Sequence, residues 1–399
     1  MRTAIIGGGA AGFFLAVNLK EMCQEMDVTI LEKSSRILKK VEISGGGRCN
    51  CTNTFEGITD LSAVYPRGHR LMRRLMNIFD HHDAYQWFER HGVPLMVQSD
   101  HCVFPQSQDS HSIIDCLLQH ARQNGVRILT RHTITGMEDL DGYDFKVIAT
   151  GGLPRNGAMD WLREAGHEIE PPVPSLFSLS VEDPHLKELM GLVADHAVVQ
   201  LPQTKIRMQG PLLITHWGLS GPAILKLTSH AARILREKDY HTTLLVNWTG
   251  QTESDVRDAI MDFTILHRLK QLPSMPPFGL TRRLWLYILG KSIAEKATMR
   301  WSDLSRKELN RIINTLVNDE IAITGRAPFQ DEFVTCGGIS LKSIQPTSLE
   351  SRTCSGLYFA GEVLDIDGIT GGFNFQAAWT TAYTVAQAIA SCAQKMDRE

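Results

Sequence analysis

The residues with the plainest chemical assignment stand near the start of the chain. Gly7-Gly8-Gly9-Ala10-Ala11-Gly12 follows the β-favouring run Thr3-Ala-Ile-Ile6, a helical pattern opens at Ala10, and Glu32 closes the next apolar run, Val28-Thr-Ile-Leu-Glu32. A Gly7-x-Gly9-x-x-Gly12 turn between a strand and a helix suits a dinucleotide. The first glycine permits the tight turn, the second lets the backbone approach a pyrophosphate, and the third lets helix and strand pack closely, while the helix N-terminus offers unpaired N–H donors. Glu32, twenty residues past Gly12, stands at the tip of the second strand. There a carboxylate accepts hydrogen bonds from an adenosine ribose and repels a 2′-phosphate, so FAD or NAD suits the site better than NADP.

Three later stretches carry the same kind of chemistry. Ile43-Ser44-Gly45-Gly46-Gly47-Arg48-Cys49-Asn50-Cys51-Thr52-Asn53 sets three glycines beside a fixed positive charge and several uncharged hydrogen-bonding groups. Such a loop can press backbone N–H groups against an anion or a planar ring. Phe145-Lys-Val-Ile-Ala-Thr150-Gly151-Gly152 is a strand running into a glycine pair, and Gly356-Leu-Tyr-Phe-Ala-Gly361-Glu362-Val-Leu-Asp365-Ile-Asp367-Gly368-Ile-Thr-Gly371-Gly372-Phe373-Asn374 is a second strand-to-glycine passage leading into a helix near Asn374. That helix N-terminus is a further donor-rich end for an anion or a flavin carbonyl. Leu213-Ile-Thr-His216-Trp217-Gly-Leu-Ser220-Gly-Pro222 holds His216, readable either as an acid/base near a flavin or as a histidine that satisfies backbone groups between domains.

The elements that must position these groups follow from periodicity and punctuation. Ala10 to Met26 has helical spacing and completes the first βαβ unit; helices are expected over Leu71–Gly92 and Ser110–Asn124, with strands at Val126–Leu129 and Thr133–Thr135. From Ser175 short alternating segments predict an antiparallel sheet or barrel, followed by helices at Asp255–Leu272, Leu280–Ala297 and Ser305–Val317. The chain is therefore read as α/β, a Rossmann-like domain over 1–174 plus 331–399, discontinuous around an inserted β-barrel-like and helical domain over 175–330. Its 399 residues exceed what one hydrophobic core usually serves.

Composition excludes several classes. With 43% hydrophobic and 21% charged residues the chain is an ordinary globular protein, and a net charge of -3 gives no expectation of a nucleic-acid partner. Arg67-Gly-His-Arg70-Leu-Met-Arg73-Arg74 reads as a solvated helix face. No apolar run has the length of a membrane span, no signal-peptide pattern is visible, and the expected location is the cytoplasm. Eight scattered cysteines suggest neither a disulfide framework nor a zinc site; Cys49-Asn-Cys51 is spaced poorly for a redox dithiol, and no histidine has ligand spacing for a metal. The sequence carries no signal for oligomeric state.

Taken together, Gly7-Gly-Gly-Ala-Ala-Gly12, Ser44-Gly-Gly-Gly-Arg-Cys-Asn50, Thr215-His-Trp-Gly-Leu-Ser-Gly-Pro222, Gly356-Leu-Tyr-Phe-Ala-Gly-Glu-Val-Leu-Asp365 and Gly371-Gly-Phe-Asn374 resemble the BaiN-like, or aminoacetone oxidase, family of bacterial FAD-dependent oxidoreductases. The resemblance runs from end to end. It implies a glutathione-reductase-type FAD domain built from both ends of the chain, with the inserted domain covering the flavin. By the same resemblance Gly7, Gly9, Ala11 and Gly12 lie at the FAD pyrophosphate and Glu32 with Lys33 at the adenosine ribose. Arg48 and Asn53 lie along the cofactor, Thr133 and Ile134 reach the adenine by backbone, Gly151 meets the pyrophosphate, and Gly361, Glu362, Gly372, Phe373 and Asn374 lie near the ribityl chain and flavin. The pattern departs from the family in two places. Thr135 to Phe145 is short for a three-stranded meander, and Gly152-Leu-Pro-Arg-Asn-Gly157 lacks the usual serine, threonine and glycine run. The implied activity is hydride exchange between flavin N5 and a small organic substrate. Oxidation of an amine such as aminoacetone and reduction of an enone, with NAD(P)H as a transient donor, both stay open. A different class also stays open, in which a structural or sensory FAD serves action on a macromolecule such as tRNA.

Overall fold

The structure is a computed structural model that describes residues 1–152, 160–327 and 334–396. The chain divides into two compact units, Met1–Pro174 with Val334–Glu399, and Ser175–Phe333.

The first unit is organised by a five-stranded parallel sheet. Strands β1 (Arg2–Ile6), β2 (Asp27–Glu32), β3 (Arg127–Thr130), β4 (Phe145–Ile148) and β5 (Leu357–Phe359) lie in the order β5-β4-β1-β2-β3. β1 is central, pairing Thr3 with Val28 on one side and with Phe145 on the other. Its residues after Arg2 are all buried, as a strand covered on both faces must be, and the same condition gives β2 and β4 their runs of apolar residues. Helix α1 (Ala10–Met22) is buried from Ala11 to Leu19 and runs along the C-terminal helix α4 (Phe373–Met396). Helices α2 (His81–Arg90) and α3 (His111–Gln123) complete this layer. Phe14 anchors it, with ring centroids 4.5 Å from Trp87 and 5.0 Å from Trp379. One polar group sits among these rings without cost: Asn18 donates to the Phe14 carbonyl (2.7 Å) and accepts from the Trp87 indole (3.1 Å).

Several elements differ from their sequence expectation. Leu71–Gly92 is not one helix but two, His69–Leu75 and α2, because Asp80 caps α2 with a reciprocal bond between its side chain and the backbone of Asp83. Thr133–Thr135 forms no strand. The backbone N–H and hydroxyl of Thr135 both donate to Asp139 (2.7 and 3.0 Å), turning the chain where a ladder would need it extended. Between β3 and β4 only a short helical turn, Glu138–Leu140, intervenes. Of the departure expected after Gly152, residues 153–157 lie outside the described residues.

The second unit is built on an eight-stranded antiparallel sheet, running Val193–Ala194, Leu212–Ile214, Gly218–Ser220, Leu179–Val181, Asp319–Arg326, His241–Asn247, Val198–Gln200, Arg207–Gln209 from edge to edge. Its long helices are Glu253–Leu266, Arg282–Ile293 and Arg306–Val317, each started by a hydroxyl cap: Thr252, Thr281 and Ser305. Trp285 and Trp301 stack at 5.8 Å within their core. Among the described residues no helix is long and apolar enough to cross a membrane.

His167 joins sequence-distant parts of the first unit. It is 2% exposed; Nδ1 donates to the Leu162 carbonyl (2.8 Å), leaving Nε2 to accept from the Ser351 hydroxyl (2.8 Å). Burial pushes its pKa below the ordinary value near 6.5, against an opposing contribution from the Leu162 carbonyl. The unfolded chain therefore takes up a proton that the folded chain resists, so stability held at neutral pH is lost progressively as pH falls below about 6.5. A His167→Gln variant is expected to be less stable at pH 8 and to lose less stability than wild type between pH 7 and pH 5. Parallel curves in urea melts at the two pH values would remove this role for His167.

Candidate functional site

The glycine turn after β1 is a place where backbones meet without room for side chains. Gly7 has φ +117, and a Cβ on it would stand 2.3 Å from the Ala149 carbonyl oxygen; a Cβ on Gly12 would stand 2.1 Å from the Gly7 oxygen. Both glycines are thus required by packing. Gly9 differs: it is the N-cap of α1, no side chain caps the helix, and a Cβ there would meet nothing within 4 Å. The N-terminus of α1 therefore has no side-chain cap and has room beside Gly9, as anion binding at a helix N-terminus needs. Ala11 is buried beside them.

Glu32 ends β2 half-buried. Its carboxylate accepts from the backbone N–H of Gly8 and of Ser34, both at 2.8 Å, one on each oxygen. The two bonds clamp the glycine turn to the end of β2, and each oxygen keeps a lone pair for another donor. Lys33 is exposed. The chain beyond β3 lies alongside, since the N–H groups of Arg131 and His132 donate to the carbonyls of Ser34 and Glu32; Thr133 follows exposed and Ile134 half-buried against the core.

The Ser44–Asn53 loop takes a left-handed path at Gly45, Gly46 and Gly47, and added Cβ atoms at Gly46 and Gly47 would meet nothing. Arg48 lies over the Phe104 ring (4.4 Å) and donates to the Gly45 carbonyl and the Gln108 side chain. Downstream the loop is locked to the start of α4. Thr52 donates to Gln376 (2.6 Å), Asn53 donates to the Gly371 carbonyl (3.0 Å), and a Cβ on Gly372 would stand 2.2 Å from the Thr52 oxygen. Asn374 both donates to and accepts from the backbone of Gly368, closing that loop on itself, and the Tyr65 hydroxyl donates to the Phe373 carbonyl. Cys49 and Cys51 are buried, which pushes the Cys49 thiol up to about 12 and Cys51 well above its ordinary value. Neither is a ready thiolate.

Gly361 returns the chain to the first turn: its N–H donates to Thr381 (2.8 Å), and a Cβ on it would lie 2.8 Å from that of Ala11. Glu362 accepts from the Thr335 N–H (2.9 Å) and pairs with Lys40 (2.7 Å); Gly151 and Gly152 lie against the same carboxylate. Within the first unit Glu32 is thus bonded to the first glycine turn, Asn53 and Glu362 to sequence-distant segments, and Arg48 and Asn374 chiefly to their own or neighbouring loops. His216 belongs to the second unit, exposed at the tip of the hairpin joining Leu212–Ile214 to Gly218–Ser220, with its ring against Trp217.

The HI0933-like protein Rossmann domain family matches residues 1–388. The chain belongs to this family. Its sequence is similar to the 3-dehydro-bile acid delta(4,6)-reductase of Clostridium scindens, at 27% identity over 98% of this chain and 99% of that protein. It is also similar to the ribosomal RNA dihydrouridine synthases of Escherichia coli and Haemophilus influenzae. These are 26% and 27% identical, cover 96% of this chain in each case, and are themselves covered over 96% and 97% of their length. This HI0933-like chain is an FAD-dependent oxidoreductase, and the uncapped α1 with its open Gly9 fits an FAD pyrophosphate.

One buried ion pair of the first unit has no signal in the sequence. Arg67, expected on a solvated helix face, precedes the His69–Leu75 helix and its side chain is only 11% exposed, whereas Arg70, Arg73 and Arg74 are exposed as expected. Arg67 holds the fully buried Asp367 with two hydrogen bonds, Nε to Oδ1 at 2.5 Å and Nη2 to Oδ2. Burial presses the guanidinium toward losing its proton, and the bonds and charge of Asp367 outweigh it, holding the pKa above its ordinary value. No local signal joins two residues 300 positions apart. Lys40 was missed for the same reason. Asp367→Asn leaves a buried guanidinium short of its counter-charge, and we expect a loss of about 3–5 kcal/mol in stability, with weaker FAD retention because Asp367 anchors the loop to Gly372. A combined Arg67→Met, Asp367→Leu variant is expected to recover most of the stability. Denaturant melts and the flavin-to-protein absorbance ratio check both.

Proposed function

We propose that this chain uses bound FAD to saturate a carbon–carbon double bond conjugated to a carbonyl, with NAD(P)H as the transient electron donor. One observation carries the reading. Relatives matched along nearly their whole length are named for unlike substrates, a 3-dehydro-bile acid and ribosomal RNA, yet both names describe addition of two hydrogens to such a double bond. The fold is compatible with a visiting donor: among the described residues the one parallel sheet carries a single glycine turn of dinucleotide type, and the large sheet of the second unit is antiparallel.

The flavin supplies the hydride; the chain holds and orients it and keeps water away. On this reading Gly7, Gly9, Ala11, Gly12 and Gly151 receive the pyrophosphate, Glu32 and Lys33 the ribose, and Thr133 and Ile134 the adenine. Arg48, Asn53, Gly361, Glu362, Gly372, Phe373 and Asn374 attend the remainder of the cofactor. Hydride addition at the carbon remote from the carbonyl leaves an enolate, which must take a proton at the adjacent carbon. His216 is our candidate donor, as an exposed ionisable group in a segment otherwise built of apolar and hydroxyl residues. The preferred substrate is a small molecule, and eight cysteines free of disulfides suit a reducing compartment such as the cytoplasm. The relatives named for ribosomal RNA favour a second reading with an RNA substrate.

Anaerobic stopped-flow spectroscopy tests the direction of the chemistry. NADH or NADPH is expected to bleach the flavin, and a 3-oxo-4-ene steroid to restore its colour; bleaching by aminoacetone with no response to either nicotinamide would establish amine oxidation instead. His216→Asn is expected to slow the restoring half-reaction by about a hundredfold while leaving bleaching unchanged. Tight, salt-sensitive retention of ribosomal RNA on filters would favour the RNA reading.

A further inference from the structure

Glu21, His91 and His120 come from three separate helices of the first unit. Glu21 is in the last turn of α1, His91 is the C-cap of α2, and His120 is in the last turn of α3. Each offers one ligand atom, and the three atoms lie within 4.8 Å of one another. Sequence spacing hides this set, since the residues are far apart in the chain and only the packing of α1, α2 and α3 unites them.

The hydrogen bonds around His91 fix its chemistry. Nδ1 lies 2.7 Å from the Trp87 carbonyl, an acceptor only, so Nδ1 carries the hydrogen. Nε2 then faces Glu21 Oε1, 2.8 Å away. A contact this short between an imidazole nitrogen and a carboxylate oxygen needs positive charge at that point, either a proton on Nε2 or a metal ion bound by both. The imidazole ring is also held in place by stacking on Trp87 at 3.7 Å, and a ring nitrogen backed by a backbone carbonyl is the usual outer support of a metal-ligating histidine. The His120 ring stands edge-on to it at 4.6 Å. The field of the backbone favours the same sign of charge, because α1, α2 and α3 all bring their C-terminal, negative ends to this point. The neighbouring Cys116 thiol is directed to the His91 carbonyl (3.6 Å) and away from the ligand set.

We propose that Glu21, His91 and His120 bind a divalent transition metal, zinc by the match of two imidazole nitrogens and one carboxylate oxygen, with water in the fourth position. Bonds of about 2.0–2.2 Å require only small side-chain adjustments from the observed separations. The site lies at the far end of α1 from the glycine turn: twelve residues separate Gly9 from Glu21, about 18 Å along a helix. Its role is to tie three helix ends together, apart from the flavin chemistry.

The test uses the full-length protein with its flavin, stripped of metal by a chelator and titrated with zinc chloride against a chromophoric competitor. Uptake of one zinc per chain is expected. Glu21→Gln and His120→Ala should each weaken it by more than about tenfold, with flavin absorbance and circular dichroism unchanged as proof of folding. Cobalt in place of zinc should give visible ligand-field bands without thiolate charge transfer. No uptake by wild type, leaving a simple imidazolium–carboxylate pair, would overturn the proposal. So would unchanged affinity in both folded variants, which would place the metal elsewhere, or thiolate bands from cobalt, which would give it to a cysteine.

Discussion

The first unit depends on a steric constraint: at the end of β1 three pieces of backbone approach until no Cβ fits between them. The Gly7 position stands against the Ala149 carbonyl at the end of β4, and the Gly12 position against the Gly7 carbonyl itself. This contact sets where α1 begins and how it lies on the sheet. Because Gly9 at the same turn stays open and uncapped, the helix can be drawn close to the strand while its N-terminal donors remain unspent. Glu32 completes the arrangement from β2 by fixing Gly8, so the carboxylate read first as a ribose ligand is also part of the turn that it faces.

A second constraint follows from the first. A unit assembled from residues 1–174 and 334–399 must join segments far apart in the chain, and several of its bonds span 300 positions or more. Thr52 with Gln376, Asn53 with Gly371 and Arg67 with Asp367 all connect the early loops to the passage before α4. These bonds are buried or nearly so, where an unpaired group is costly, and their geometry is correspondingly specific. The left-handed glycines of the Ser44 loop and the glycine pair before Phe373 allow the backbone to reach these partners.

The parts legible in the sequence were those with a local cause. The Gly7 turn, the end of β2 at Glu32 and the start of α4 each depend on residues within a turn or two, so spacing alone exposes them, whereas the three long helices of the second unit were legible from apolar spacing with ends that their caps and turns place elsewhere, at Glu253–Leu266 and Arg282–Ile293 for two of them. The break between the His69–Leu75 helix and α2 was also local, but the apolar spacing across it masked the Asp80 cap. Thr133–Thr135 has the β-branched composition of a strand and turns aside because Asp139 takes its hydrogen bonds. Nothing near Arg67 in sequence announces Asp367, so its spacing looks like that of a surface charge, and Glu21, His91 and His120 at the ends of α1, α2 and α3 are hidden for the same reason.

The same distinction bears on substrate. The glycine words answer to backbone approach and to phosphate, demands that are identical whichever molecule is the substrate. Relatives named for a bile acid and for ribosomal RNA are about equally similar to this chain and align over nearly all of it, as expected if most of the shared sequence serves the cofactor and the fold. Discrimination between a small apolar substrate and a polyanion needs different physics: apolar area and shape for one, phosphate-neutralising cations for the other. Those properties reside in surface residues that neither build the glycine turn nor join the chain ends. The motifs that identify the flavoprotein are for that reason poor witnesses to its substrate.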